Sequence, residues 1–528
     1  MLLKILSYIP YQLTIAATCR RFYELSCHLK SYNLTIYTDS SVPNLKPFSK
    51  FLDEPDWLSS ILNSQRKIHT LRVTSELYKP PMQLSKLTDI FTNFGPNIVH
   101  LYISRRFLTI QTFALLNGMP NLQQLTLRHV GIEGDDDVPE DFQLNLHKLR
   151  NLQIDACSEK VLEVMDCLPD NVLHTIDIQR DFKTKKIYFE NQTSMKDVIS
   201  HGPDCLSFTP LKMKRLGTHK LYSPEKIEGQ DEMTDLTLFR LTESTLKTIC
   251  SDLKSLERLM TIVTSNYMDL SDLRNLDKLK IVHLMATGRT LTSFKSRSLR
   301  ELTAASYKTN IYAETVIMIV LNFPNLQKLH MYGMDKPENV NLILSLCPKL
   351  EILICEFVTA KDYKFETFPG ESNLKQLSLI KCNNFDEILK LVKSCKKLET
   401  FSITDNLTWS SLRVLLLAKP NLKVLCLTSS GRTKSPAIDT ELLITLKMFG
   451  RNLEKFHWEC SNNAKFQFDI TADTLRRGLQ HKYPGFQLLR DGILTIKKKY
   501  EYMACLCHHN FVIAVMNQVY SKIIRQVD

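Results

Sequence analysis

Phe323-Pro-Asn-Leu-Gln-Lys-Leu-His-Met331, Cys347-Pro-Lys-Leu-Glu-Ile-Leu-Ile-Cys355, Ser372-Asn-Leu-Lys-Gln-Leu-Ser-Leu379, Cys395-Lys-Lys-Leu-Glu-Thr-Phe-Ser-Ile403 and Lys419-Pro-Asn-Leu-Lys-Val-Leu-Cys-Leu427 are five copies of one phrase, each built on Leu-x-x-apolar. Their first leucines, Leu326, Leu350, Leu374, Leu398 and Leu422, stand 24 residues apart. Apolar and polar residues alternate from each first leucine, which predicts a short strand with one buried face. Between the phrases, Asn339–Leu346, 386–392 and 410–417 place apolar residues at i, i+3 and i+4, the spacing of a helix. Consecutive strands joined through such helices must run parallel.

The period and the phrase together are those of leucine-rich repeats, which run at roughly 20–29 residues. They predict an α/β leucine-rich-repeat horseshoe solenoid, with the parallel sheet on the concave side and helices on the convex side. Working outward, strand-like copies begin at Ile68, Ile98, Leu122, Leu149 and Leu173. Between 180 and 230 the pattern fades among Pro203, Pro210, Pro224 and many lysines, so this stretch is either an inserted loop or a degenerate repeat. Rhythm returns at Met233, Leu256, Leu276 and Leu299, and Leu453-Glu-Lys-Phe-His-Trp458 is a later strand, with 493–496 a candidate for the last. The repeats are thus expected over 67–497, with 498–528 a tail or cap. A chain of 528 residues can grow this way on one continuous core.

In such a repeat the leucines point inward, and the residues between and after them face the concave surface. From Leu122 and Leu149 this rule exposes Gln124, Thr126, Arg128, Asn151, Gln153 and Asp155, a polar mixture. From Leu350 to Leu422 it exposes Ile352, Ile354, Glu356, Gln376, Ser378, Ile380, Thr400, Ser402, Thr404, Val424, Cys426 and Thr428, with a single charge among them. A sheet face so short of charge resembles the core of an interaction patch. Its occupant is either a protein substrate or the chain's own tail, whose Phe511, Val512, Ile513, Val515, Met516, Val519, Ile523 and Ile524 are apolar enough to lie there.

The net charge of +12 is spread along the chain, and its densest run, Lys497-Lys498-Lys499, is too short for a nucleic-acid site. Residues 1–17 are apolar, but Ser7, Tyr8, Pro10 and Gln12 interrupt them, unlike a secretory signal. No run reaches the roughly 18 apolar residues of a membrane helix, so a soluble protein of the cytoplasm or nucleus is expected. Cys157, Cys382 and Asn406 each fall eight residues after a first leucine, the Asn/Cys position of the repeat. Cys347 and Cys395 end predicted helices, and all of these read as reduced structural thiols. Cys505-Leu-Cys507-His508-His509 lacks the second half a zinc site needs, and Asp135-Asp136-Asp137 with Glu140 and Asp141 lacks calcium-loop spacing. Phosphate-binding and nucleophile-elbow motifs are missing from the sequence, so no catalytic residue, metal or cofactor is nominated.

The amino terminus, Leu2-Leu3-Lys4-Ile5-Leu6-Ser7-Tyr8-Ile9-Pro10 followed by Cys19-Arg20-Arg21-Phe22, resembles the F-box. With repeats behind it the chain resembles the F-box and leucine-rich-repeat protein family. The division is then a small all-α partial F-box at 1–30, a connector at 31–66 with a short helix near 57–63, and the repeats. The resemblance implies a non-catalytic substrate receptor of an SCF-type ubiquitin ligase. Leu2, Leu3, Ile5, Leu6, Ile9 and Phe22 would bind the Skp-family adaptor, though some of them must close the small helical core. A cullin scaffold would follow through the adaptor, and the repeats would hold an unknown target protein; neither nucleic acid nor membrane is implied. The sequence opens inside the first helix of the motif, without its Leu-Pro-x-Glu lead. Either it is an incomplete version of a longer protein or its adaptor contact is weakened. The alternative is a repeat scaffold with no part in ubiquitination.

Overall fold

The computed structural model describes residues 32–37, 67–74, 84–133, 137–179, 188–200, 206, 212–218, 227–238, 240–265, 267–306, 310–358, 363–365, 372–382, 384–404, 408–429, 445–446, 448–450, 452–453, 455–460 and 467–469. The F-box-like residues Leu2, Leu3, Ile5, Leu6, Ile9 and Phe22, the helix expected near 57–63, Asn406, the strand expected at 493–496, the tail and the Cys505–His509 cluster lie outside them. The chain divides into two compact units, Met1–Phe239 and Arg240–Asp528.

In the first unit nine parallel strands pair in chain order. They are β1 (Tyr32–Tyr37), β2 (Ile68–Thr74), β3 (His100–Leu108), β4 (Gln124–Ile132), β5 (Asn151–Asp155), β6 (Thr175–Ile178), β7 (Asp197–Ser200), β8 (Arg215–Thr218) and β9 (Asp235–Leu238). Among the described residues three α-helices connect some of them: α1 (Leu84–Phe94), α2 (Ile110–Ala114) and α3 (Glu159–Asp166). One register row runs Leu71, Leu101, Leu125, Leu152, Ile176, Val198, Leu216, Leu236, each at most 1% exposed.

The faded stretch 180–230 therefore contributes two strands, β7 and β8. Its pattern is hard to see because Met195 and Met213 replace the first leucine, and Ser200 and Thr218 take the third buried position. Two glutamines do the work of the missing turns. The Gln192 Oε1 accepts the Val172 and Leu173 N–H groups at 3.0 Å each and its Nε2 donates to the Pro169 carbonyl at 2.7 Å, while the Gln230 Oε1 accepts the Met213 N–H at 2.9 Å. A buried amide that satisfies buried backbone groups keeps the sheet intact without apolar periodicity.

The second unit repeats the plan with β10 (Arg258–Ile262), β11 (Ile281–Ala286), β12 (Glu301–Ser306), β13 (Lys328–Met334), β14 (Ile352–Phe357), β15 (Gln376–Ile380), β16 (Thr400–Thr404), β17 (Val424–Ser429) and β18 (Lys455–Cys460), all parallel in chain order. A short β19 (Gln467–Asp469) pairs antiparallel with β18. Helices α4 (Glu243–Asp252), α5 (Gly288–Thr292), α6 (Ala313–Asn322), α7 (Asn339–Leu346), α8 (Phe385–Ser394) and α9 (Trp409–Ala418) cover the apolar face. The three helices expected from the sequence are α7, α8 and α9. Leu326, Leu350, Leu374, Leu398 and Leu422 are all buried to 1% exposure or less. Thr242, Asn384 and Thr408 cap α4, α8 and α9 through the Thr245, Glu387 and Ser411 N–H groups, each relieving an orphan donor of the first turn. Among the described residues no helix is long and apolar enough to cross a membrane.

One backbone device recurs in five copies. Arg105, His129, Ala156, Gly333 and Lys381 have φ of 54, 50, 51, 81 and 62°, and each stands seven residues after the first apolar position of its copy (Ile98, Leu122, Leu149, Leu326 and Leu374). At Ala156 and Lys381 the strand ends, whereas Arg105, His129 and Gly333 lie within β3, β4 and β13, whose pairing resumes beyond the left-handed residue. The Asn/Cys position follows at once: the Cys157 thiol donates to the Leu127 carbonyl at 3.4 Å and its sulfur accepts the Val130 N–H at 3.4 Å. Cys382 instead donates to the Tyr363 hydroxyl at 2.8 Å.

Candidate functional site

On the sheet face away from the helices, strand register in the second unit sets three adjacent rows. The first is Lys328, Ile352, Gln376, Thr400, Val424; the second His330, Ile354, Ser378, Ser402, Cys426; the third joins Tyr332 with Glu356 and Ile380, and Thr404 with Thr428. The residues read from the sequence as a binding face are thus brought together. Ile352, Glu356, Gln376, Ile380, Thr400, Ser402, Val424 and Cys426 are half-buried. The side chains of Thr404 and Thr428 fall outside the described residues.

Two expectations are corrected. Ile354 and Ser378 are only 3% exposed each, so they do not present their side chains to solvent. A middle-row position has same-strand neighbours two residues away on either side and cross-strand neighbours about 4.8 Å away. Ile352 and Glu356 flank Ile354, and Gln376 and Ile380 flank Ser378, which covers the middle row on β14 and β15, while Ser402 and Cys426 on β16 and β17 stay half-buried. The charge of Glu356 is also balanced, by Lys381 at 2.7 Å. What remains accessible is a nearly uncharged strip built on Ile352, Ile380 and Val424 with amide and hydroxyl groups between them.

Toward β12 the same rows turn polar. Glu301 takes Lys328 at 2.8 Å and lies 3.9 Å from the His283 Nε2. The His283 Nδ1 and Thr303 Oγ1 are 2.7 Å apart, and Thr303 Oγ1 lies 3.4 Å from His330 Nδ1. His283, Thr303 and His330 are buried. Sequence reading passed over them, although the same rule counted from Leu279, Leu299 and Leu326 places them in the middle row. Burial, then the Glu356 carboxylate nearby, raises the Tyr332 phenol well above its ordinary range, so it stays a neutral donor.

The corresponding face of the first unit is polar, as the residues from Leu122 and Leu149 imply. Thr126 donates to Gln153 Oε1 at 3.5 Å, Gln153 and Gln179 donate to the Asp177 Oδ2 at 3.1 and 2.9 Å, and Arg128 pairs with Asp155 at 2.8 Å. Burial foremost, with Asp155 beside it, raises the Asp177 carboxyl despite these donors.

These arrangements offer contact surface and hydrogen bonds. The described cysteines are unbridged, and burial pushes the Cys250 and Cys347 thiols up to about 11 and 12, which suppresses the thiolate a nucleophile requires. Among the described residues no three His, Cys, Asp or Glu side chains group as a metal site.

No protein-family model matches the chain, and no curated protein does. Solved structures are similar to it. An internalin from Listeria monocytogenes is similar over 77% of this chain and 93% of its own, with 13% identity and a TM-score of 0.29. TLR13 in its complex with ssRNA13 is similar over 80% of this chain and 57% of its own, with 13% identity and a TM-score of 0.33. The leucine-rich-repeat fold rests on this chain's own in-register apolar rows.

Proposed function

We propose that this protein is a non-catalytic receptor that holds a target protein on the open sheet face of its second unit. It presents that target to a ubiquitin ligase recruited through the F-box-like amino terminus. The reading is carried by the nearly uncharged strip on β14 to β17, an unusual surface for a sheet face that bears no helix among the described residues, combined with the F-box-like segment in the same chain. Ile352, Ile380 and Val424 supply apolar contact; Gln376, Thr400 and Ser402 supply hydrogen bonds that fix register; Glu356 with Lys381 forms the polar rim. Leu2, Leu3, Ile5, Leu6, Ile9 and Phe22 bind the Skp-family adaptor, and the adaptor brings the cullin scaffold. The receptor contributes proximity and needs no cofactor.

Co-purification of the full chain with the adaptor tests the first half. Wild-type protein should retain it, and Leu6→Asp with Ile9→Asp should lose it. Affinity capture under proteasome inhibition tests the second half, with Ile352→Asp and Ile380→Asp as the variants that should release the target. Target capture that depends on Ile380 without adaptor retention would leave a repeat scaffold with no role in ubiquitination.

A further inference from the structure

A second surface lies at the turns that lead into the strands, away from the open sheet face. Four of the five phrases alternate there: Lys349-Leu-Glu351, Asn373-Leu-Lys375, Lys397-Leu-Glu399, Asn421-Leu-Lys423. Neighbouring copies therefore complement each other. Lys375 pairs with Glu351 and Lys423 with Glu399, both at 2.9 Å, and the Lys349 and Lys397 ammonium groups donate to Asn325 and Asn373 at 2.7 and 2.6 Å. These four phrases carry four lysines against two glutamates, so the edge is mildly basic along its length.

It is overloaded in one place. Lys396 stands where three other copies have Pro324, Pro348 and Pro420. With Lys375, Lys397 and Lys423 it lines a cleft of about 650 Å³, in which Glu399 supplies the one carboxylate and Asn421 and Asn452 the amides. Just beneath, Lys419 is buried and donates to the Cys395 and Lys393 carbonyls at 2.6 and 3.4 Å, adding a further positive charge.

We propose that this cleft binds an acidic segment of a partner polypeptide. Lysines are point charges that suit single carboxylates, and among the described residues the lining holds neither the arginine forks nor the aromatic platforms that nucleic-acid sites use. The lysines are spread over three consecutive copies at a strand spacing of about 4.8 Å, a span of roughly 10 Å that three or four extended residues cover. Recognition here is independent of the strip on β14 to β17.

Fluorescence anisotropy of a labelled deca-glutamate peptide against the full-length protein tests this. Saturable binding is expected, weakening as salt rises. Lys396→Glu with Lys397→Glu should weaken it about tenfold or more, whereas the charge-matched Lys247→Glu with Lys278→Glu, on exposed residues elsewhere, should change it less than twofold. Both changed residues of the cleft lie in an exposed turn, and an unaltered melting curve will separate lost binding from lost fold. Equal weakening by both pairs would overturn the proposal, as would equal binding of a deca-serine peptide. Retention of tripolyphosphate without the peptide would also overturn it, by assigning the cleft to phosphate.

Discussion

Ile354→Asp and Ile352→Asp place the same carboxylate two residues apart on one strand and should behave very differently. Ile354 is 3% exposed and lies between His330 and Ser378 in the middle row. Removing its side chain from burial costs about 1.5–3 kcal/mol. An ionised carboxylate left there costs several kcal/mol more. The sum is on the order of 5 kcal/mol at neutral pH. Ile352 is half-buried beside Lys328 and Gln376, so its variant should lose about 1 kcal/mol or less, helped by the neighbouring ammonium. Urea unfolding of the full chain reads the difference: with slopes of about 1–3 kcal/mol per molar, Ile354→Asp should lower the midpoint by about 2 M or more for the repeats around β14. Because a solenoid couples mainly to its nearest repeats, the loss should appear as an early transition of the second unit. Equal midpoints for the two variants would refute the conclusion that the middle row is covered on β14, and with it the choice of Ile352 and Ile380 as the accessible contacts.

Asp177→Asn should stabilise the first unit by about 1 kcal/mol at pH 7, because the Asp177 Oδ1 is buried without a hydrogen-bond partner and an ionised acceptor left so carries a desolvation cost. The folded pKa is raised, mainly by burial, so wild-type stability rises as pH falls through that value, and the melting gap to the variant should close on acidification; a gap that widens would reverse the sign. Glu387 is the opposite case: the Lys390 contact at 2.5 Å first, then the Phe365 N–H at 2.7 Å, lower its carboxyl. Its contribution is present above the ordinary carboxylate range and lost as pH falls through the lowered folded value, and Glu387→Gln should remove that acid sensitivity from the hydrogen exchange of the Phe365 amide. Gly333→Ala should cost about 1 kcal/mol through backbone conformation, since φ is +81° and an added Cβ meets nothing within 4 Å; thermal melting checks this, and an unchanged transition would dismiss the left-handed step as a source of strain.

The leucine rows were legible in the sequence because burial selects one residue type at a fixed period, and Leu326 to Leu422 keep both. Legibility failed where other chemistry met the same need. Met195 and Met213 fill the leucine site, Gln192 and Gln230 satisfy the turn, and neither substitution has a period to detect. The left-handed residues in and after the strands are a second blind spot. Only Gly333 announces the conformation, whereas Arg105, His129, Ala156 and Lys381 adopt it under the demands of the fold. The middle row was misjudged for a different reason. Alternation within one strand says which face a residue occupies, but exposure on that face depends on neighbours in other strands.

Register supplies that missing information, and it gives the alternation at the turns its meaning. Each leucine copy could pair with any other, since the apolar ladder is the same at every step of 24 residues. The turn residues are not interchangeable in this way. A slip by one copy would set Lys349 against Lys397 and Glu351 against Glu399, placing like charges where Lys375–Glu351 and Lys423–Glu399 pairs now stand. Each exposed pair contributes little by itself, but repulsion on one side and attraction on the other make the difference between registers larger than either alone. The leucines thus stabilise stacking in general, while the alternating Lys-Leu-Glu and Asn-Leu-Lys turns select which copies stack. Lys397 belongs to that pairing through Asn373, whereas Lys396 replaces a proline of the other copies and adds to the cleft a charge that register selection does not require.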